Sequence, residues 1–465
     1  MASETLLEKF TEIFQEKAPP LQIHTEGFSS FLFHPDEAYL ALAFRFGFMT
    51  HSKLPLDTSE YKFCETILKK VSRSFALVIQ TLPDDLRISV CIFYLVLRAL
   101  DTIEDDMSTF KNRKAQKGKL LRSFASKLQL TKWRLLNVGE AEEKQLLEEF
   151  PKVLSVYHGL SKEDQAIIAD ITFQMGEGMA EFLDKDIRLG TASKSEYDLY
   201  CHYVAGLVGQ GLTRLFVAHG KEDPSLLNLL KEADEMGIFL QKTNIIRDYL
   251  EDLNEGRTFW PHTIWSKYAP SLFELRTGDK SKSLECLNEL IVDAYKHVPA
   301  VLKYLDAIKN PKVFKFCAIP QVMAIATLER LVNNPDVFTG VVKIRKGLML
   351  SLFQYTAGIE EVKGIFSTYS DALLSNIPAS QHIHKEANTL VSEVQALCSD
   401  GIQPSKPWPS LMSLLLSISI LIYAFLQDGK RHWVDILLLF SMTVFMVFKK
   451  ITWLYGEIFS KAGSL

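Results

Sequence analysis

The chain has 465 residues, of which 47% are hydrophobic and 23% charged, with a formal net charge of −4 and an isoelectric point near 6.3. That apolar content suits a large core and excludes a disordered chain, while the slight acidity gives no general drive towards nucleic acid, so anion binding has to come from local clusters. Six dispersed cysteines (Cys64, Cys91, Cys201, Cys286, Cys317 and Cys398), without a C-x-x-C pair or zinc spacing, read as reduced, buried thiols on the cytosolic side.

Glu4, Glu8, Glu12, Glu16 and Glu26 interrupt the start of the chain, so no secretory signal is expected there. From about residue 57 to residue 370 the pattern is one of consecutive amphipathic helices with strand signals almost absent, which predicts an all-α fold. Pro83-Asp84-Asp85 opens a helix expected to run to about Met107, strongly apolar over Val90 to Leu97 and acidic at its end. A basic loop, Lys111 to Lys119, follows and reads as a flap over bound phosphates. Ser161-Lys-Glu-Asp164 resembles a capping box opening a helix with Phe173, Met175, Met179 and Phe182. Gly176, Gly178, Gly206, Gly209 and Gly211 fall inside predicted helices, where each costs about 1 kcal/mol relative to alanine and points to close packing, around an apolar channel or at a helix crossing.

A long helix is expected from Ser225 to about Asn254, stopping near Gly256, with further helices over Pro320 to Leu331 and Lys346 to Tyr369. Residues 374 to 408 lose the strong apolar pattern and end in Pro404-Ser-Lys-Pro-Trp-Pro409, which predicts a linker. Leu411 to Leu426 and Ile436 to Phe448 are uncharged apolar runs of 16 and 13 residues, with Asp428, Lys430 and Arg431 between them. Each is a little short of the roughly 20 residues a spanning helix needs, yet the tail reads as a membrane anchor, either one span with an interfacial helix or a short hairpin, in preference to a buried C-terminal helix pair of a soluble domain. No G-x-G-x-x-G follows a strand, so a Rossmann dinucleotide domain is not supported.

Two acidic pentapeptides, Asp101-Thr-Ile-Glu-Asp105 and Asp248-Tyr-Leu-Glu-Asp252, carry the chemistry. Positions four apart lie side by side on one helix face, and two like charges held there repel unless a cation shares them or both face water. Arg98, Asp101 and Asp105 fall on one stripe, and Gln241, Asn244, Asp248 and Asp252 on another, each within an otherwise apolar helix. Polar stripes on apolar helices imply an enclosed polar cavity. Hard Mg2+ prefers one or two carboxylates plus phosphate oxygens, so two facing stripes would hold a diphosphate through magnesium.

Six blocks in order complete the pattern: Ser72-Arg-Ser-Phe75, Asp101-Thr-Ile-Glu-Asp105, Tyr200-Cys-His-Tyr-Val-Ala-Gly206, Gln241-Lys-Thr-Asn-Ile-Ile-Arg-Asp-Tyr-Leu-Glu-Asp252, Phe316-Cys-Ala-Ile-Pro-Gln321 and Val342-Lys-Ile-Arg-Lys-Gly347. Together they closely resemble the eukaryotic squalene synthases, the farnesyl-diphosphate farnesyltransferases. The resemblance implies a single helical bundle of the isoprenoid synthase type with a central cavity, over residues 35–373. An N-terminal extension (1–34), a linker (374–409) and a C-terminal membrane anchor (410–465) would flank it.

It also implies an activity: two farnesyl diphosphates joined head to head to presqualene diphosphate, then reduction with NADPH to squalene, the first committed step of sterol biosynthesis. Asp101, Glu104, Asp105, Asp248 and Asp252 would hold Mg2+. Ser72, Arg73, Arg98, Gln241, Asn244 and Arg247 would contact diphosphate, and Tyr200 would move a proton. Phe75 and Phe316 would face cationic intermediates, and Lys343, Arg345 and Lys346 would meet phosphate or NADPH. The implied setting is the endoplasmic reticulum membrane, with the catalytic domain facing the cytosol and the tail in lipid. Nothing in the sequence demands more than a monomer. Phytoene-synthase-like condensation without reduction, and a membrane-tethered helical scaffold without catalysis, are the competing readings.

Overall fold

The computed structural model describes residues 22–25, 55–183, 185 and 189–402. In chain order they form α1 (Ser59–Val71), α2 (Arg73–Ile79), α3 (Asp84–Asp105), α4 (Lys114–Lys127), α5 (Ala141–Glu148), α6 (Phe150–Gly159), α7 (Lys162–Leu183) and α8 (Lys194–Cys201). A π-helical turn (His202–Gly206) leads into α9 (Leu207–Ala218), followed by α10 (Leu230–Arg247) and α11 (Tyr249–Asn254). Then come the short α12 (His262–Trp265) and α13 (Glu274–Thr277), and the longer α14 (Lys280–Tyr295), α15 (Val298–Ala307), α16 (Pro311–Leu331), α17 (Lys346–Tyr355), α18 (Ile359–Asn376) and α19 (His384–Leu397).

The helical class is as expected, with one addition: strand β1 (Gln22–His24) pairs in parallel with β2 (Gly340–Val342). Three-residue strands are too short to leave an alternating pattern. Two compact units divide the described chain: residues 22–24, 55–344 and 356–402 form the first, and residues 25 and 345–355 fall in the second. In the second, the Met349 N–H bonds to the Arg345 carbonyl at 3.0 Å and closes the first turn of α17.

In the first unit α10 is central, packing on the π turn, α9, α14, α15 and α16. Its buried residues include Ala233, Met236, Ile238, Phe239, Ile245 and Ile246, as a helix covered on most sides requires. Close approach sets the crossing with the preceding segment, because a Cβ on Gly237 would lie 2.2 Å from the Ala205 carbonyl oxygen and one on Gly209 2.1 Å from that of Ala233. Helix crossing therefore explains these glycines. Lys242 is buried on the same helix and bonds to Asp198 at 2.5 Å and Asp293 at 2.7 Å, which satisfies the charge and ties α8 and α14 to α10.

Several boundaries differ from expectation for local reasons. Asp223 accepts from the Ser225 N–H at 2.9 Å and starts a 3-10 turn at Pro224–Leu229, so α10 begins only at Leu230. The helix then breaks at Asp248, whose ψ is 14°. Adjacent residues on a regular helix do not face each other, and the break lets Arg247 grip Asp248 through two bonds of 2.8 and 2.6 Å. Helix α16 opens at Pro311 behind the Asn310 cap and absorbs Pro320 in its interior. The stretch expected to be a linker contains α19, with Ala387, Val391 and Val394 buried and Gln395 bonded to Ser367 and Asp371 on α18. Among the described residues no helix is long and apolar enough to cross a membrane. The expected N-terminal extension, apart from residues 22–25, and the expected anchor at 410–465 lie outside the described residues.

Candidate active site

Pro83 caps α3, Asp84 and Asp85 occupy its positive end, and its apolar face buries Val90 to Phe93 and Leu95 to Leu97. That burial orients the last turn, where Asp101 is half-buried, Glu104 lies on its flank and Asp105 is exposed. Arg98 donates to the Tyr94 hydroxyl at 3.2 Å and pairs with Glu143 of α5 at 3.7 Å. Burial, with Asp105 and Glu143 nearby, outweighs Arg98 and lifts the Asp101 carboxyl to about 7. Burial and Asp105 likewise push Glu104 up to about 8 against the pull of Arg257 and Lys117.

On the second motif Asp248 is held by Arg247, while Asp252 sits one turn further along α11. Burial, Asp248, Glu255 and Asp105 raise Asp252 to about 8, with Arg257 opposing them. Since Asp105 belongs to α3, the two motifs are close enough to feel each other's charge. Gln241 is half-buried and Asn244 exposed on the same stripe of α10, among buried neighbours.

The residue that joins the motifs is Arg257. Helix α11 ends in a Schellman cap: Gly256 takes φ 76°, its N–H bonds to Leu253, and the Arg257 N–H bonds back to Asp252 at 3.1 Å. The turned chain delivers the guanidinium onto Asp105, at 3.7 Å from Asp252 and 3.0 Å from Glu255. Tyr200, 4% exposed at the end of α8, stacks on Phe259 with ring centres 4.3 Å apart and meets Phe182 edge-on at 5.2 Å. Burial, with Glu104 and Asp105 close, holds its hydroxyl proton well above the usual range. The structure thus brings together Asp101, Glu104, Asp105, Asp252 and Tyr200, with Asp248 and Arg247 on the adjoining turn.

Other expected site residues have local partners of their own. Ser72 caps α2 by accepting from the Phe75 N–H at 3.3 Å. Arg73 opens α2, and its side chain lies outside the described part. Phe75 is 38% exposed, its ring centre 5.5 Å from that of Tyr94. Phe316 is buried edge-on against Phe216 at 6.0 Å. Lys343 is exposed and acts electrostatically on Glu251, beside the second motif, whereas Arg345 and Lys346 belong to the second unit. The expected basic flap is half helix: α4 begins at Lys114, and buried Lys117 donates to the Asp106 carbonyl at 3.2 Å. A groove of about 600 Å³, lined by Lys231, Glu235, Lys303 and Lys363 among others, includes no residue of either motif.

Carboxylates are hard donors, and burial first, with neighbouring carboxylates adding to it, raises the proton affinities of Asp101, Glu104 and Asp252 against the pull of Arg98 and Arg257. Among the described residues no three acidic, histidine or cysteine side chains form a metal cage by themselves. The clustered carboxylates of the two motifs are the donor type that suits Mg2+, which takes its remaining ligands from phosphate and water.

The squalene/phytoene synthase family matches residues 68–347. The chain is 43% identical to squalene synthase of Rattus norvegicus over 402 residues, covering 85% of this chain and 95% of the relative. It is 45% identical to that of Homo sapiens over 78% of this chain and 86% of the relative, and 44% identical to that of Candida albicans over 83% and 88%. The chain belongs to the squalene/phytoene synthase family. Within it, the likeness to squalene synthases is the one the six sequence blocks imply, and the chain is an enzyme of that kind. A solved complex of TcSQS with the ligand BPH1237 shares the fold, with a TM-score of 0.71 and 42% identity, over 74% of this chain and 100% of that one.

Three residues that the structure places beside the motifs escaped the sequence reading: Arg257, Glu143 and Phe259. Gly256 directly before Arg257 was the available signal, since a glycine ending a helix in a left-handed turn throws the next residue back over the last turn. Glu143 and Phe259 had none, because their partners Arg98 and Tyr200 come from distant segments.

Proposed function

We propose that this enzyme joins two farnesyl diphosphates head to head to presqualene diphosphate and reduces that with NADPH to squalene, committing carbon to sterol synthesis. The observation that carries the reading is the convergence of Glu104, Asp105, Asp252 and Tyr200 on Arg257, from α3, α8 and α11, with Asp101 beside Asp105. Bound through Asp101, Glu104, Asp105, Asp248 and Asp252, Mg2+ would supply Lewis acidity towards the departing diphosphate. Arg98 and Arg247 sit beside those carboxylates and would add charge-assisted hydrogen bonds to phosphate oxygens, with Ser72, Arg73, Gln241 and Asn244 as further contacts.

Tyr200 Oη keeps its proton at neutral pH, so it acts first as a donor. Proton uptake requires the phenolate, which burial disfavours first and the nearby Glu104 and Asp105 disfavour further, against the pull of Arg257. The rings of Tyr200, Phe182 and Phe259 form an apolar wall beside the carboxylates that keeps water from a cationic chain, and the faces of Phe75 and Phe316 would stabilise such a cation by about 0.5–2 kcal/mol. NADPH would supply hydride for the second step, and Lys343, with Arg345 and Lys346, is the candidate contact for its phosphates. The apolar runs at Leu411–Leu426 and Ile436–Phe448 would anchor a monomer in the endoplasmic reticulum membrane, facing the cytosol, where a hydrocarbon product passes directly into lipid.

Product analysis by gas chromatography and mass spectrometry tests the reaction. With farnesyl diphosphate and Mg2+, squalene is expected when NADPH is present, and presqualene diphosphate or its alcohols when it is absent. A head-to-head product that NADPH never reduces would favour condensation without reduction. No head-to-head product from folded protein would overturn the reading.

A further inference from the structure

We infer that Arg257 is a built-in counter-ion of the acidic recess: without metal its guanidinium clamps Asp105 of the first motif to Asp252 of the second, and it gives up that place when divalent cations load. Three edges of the guanidinium meet three carboxylates, Asp105, Asp252 and Glu255, and the first two lie on different helices. Asp105 and Asp252 repel each other, so helices carrying them need a cation between them to stay close. An arginine suits that task, because its planar fork matches carboxylates and is more weakly hydrated than an ammonium. The Schellman cap fixes the Arg257 backbone, so delivery of the side chain does not depend on a ligand.

The clamp is also incomplete. One guanidinium faces four carboxyl groups, those of Asp105, Asp252, Glu255 and Glu104. The Asp252 arm is the loose one: the Arg257 Nε is buried with no hydrogen-bond partner and stands 3.7 Å from the carboxylate. A divalent ion entering on that side replaces one charge with two. Lys117 adds a second positive charge near Glu104 and Asp105, while its ammonium donates to the Asp106 carbonyl at 3.2 Å.

The inference rests on the magnesium assignment above, and its test uses no prenyl substrate. Full-length protein freed of metal with a chelator is titrated with Mn2+, with and without inorganic pyrophosphate, and free Mn2+ is followed by electron paramagnetic resonance. Arg257→Met should bind Mn2+ about ten-fold more tightly than the wild type. Without metal it should melt at a lower temperature, with the deficit closing as Mn2+ is added. Arg257→Lys, which keeps the charge and loses the fork, should fall between them, and it decides the matter if the methionine variant does not fold. Unchanged or weaker Mn2+ binding in the variants would overturn the inference, as would no binding by any of the proteins. Missing squalene with intact Mn2+ binding would instead count against the proposed reaction and leave the clamp standing.

Discussion

Asp101 and Asp248 sit among carboxylates whose mutual repulsion the protein only partly relieves, through Arg98 for the first and Arg247 for the second. Replacing either by asparagine removes a charge from a crowded recess and leaves the helix intact. Asp101→Asn should therefore melt at or above the wild-type temperature without metal, whereas Asp248→Asn, which loses two charge-assisted bonds from Arg247, should melt lower, and both should lose product formation by about 100-fold or more. Wild-type turnover in either variant would remove that aspartate from the proposed magnesium set. Tyr200→Phe keeps the ring stacked on Phe259 and removes only the hydroxyl, so it should lower kcat well before it changes KM for farnesyl diphosphate. The acidic residues and Tyr200 were readable because their chemistry shows in spacing and in blocks of neighbours. Arg257 and Glu143 were not, because an ion pair between α3 and the end of α11, or between α3 and α5, leaves no periodic trace in either segment.

Helix α10 can touch so many others because small residues let backbones meet. The missing Cβ of Gly237 faces a backbone carbonyl, which cannot rotate aside as a side chain could. Gly237→Ala should destabilise the protein by about 1–3 kcal/mol in urea unfolding despite its better helix propensity. At the C-terminal end of α9, His219 bonds to Asp164 of α7 at 3.0 Å and pairs with Asp85 of α3 at 3.5 Å, binding three helix ends. The hydrogen bond to Asp164 raises the His219 pKa against burial, with Asp85 adding to it. A histidine raised on folding stabilises fully below its unfolded value near 6.5 and loses that contribution as pH climbs through the folded one. His219→Gln should thus cost about 1–2 kcal/mol at pH 6 and clearly less at pH 9, and a cost that grows with pH would refute the pairing. Helix starts such as Pro83 and Ser161 were legible from their caps: the Ser161 hydroxyl accepts from the Asp164 N–H at 3.0 Å. The break at Asp248 was hidden, since a side chain gripping its own neighbour does not disturb the apolar pattern around it.

At the scale of the whole chain, the helical unit extends to residue 402, where the Ile402 N–H bonds to the Glu360 carbonyl at 2.9 Å and Asp400 pairs with Lys363 at 2.9 Å. A chain ending there should fold, form product and stay in the supernatant, while the full chain sediments with membranes; equal partitioning would refute the proposed anchor. Ending instead at residue 376 removes α19 and uncovers its packing face on α18, so little soluble protein should result. The fold class was plain in the sequence because long segments keep a 3.6-residue period; α19 keeps it too, at Ala387, Leu390, Val391, Val394 and Leu397, but its polar residues and the prolines after it made the stretch read as a linker. The π-helical turn at His202–Gly206 makes the length of this segment matter to the site. Such a turn holds one residue more than a regular one, so losing a residue between Cys201 and Leu207 restores an ordinary helix and swings Tyr200 by about 100° against the Gly237 crossing. In an alignment, a single gap there would mark a protein whose phenol points away from Phe259 although every letter of its motifs survives.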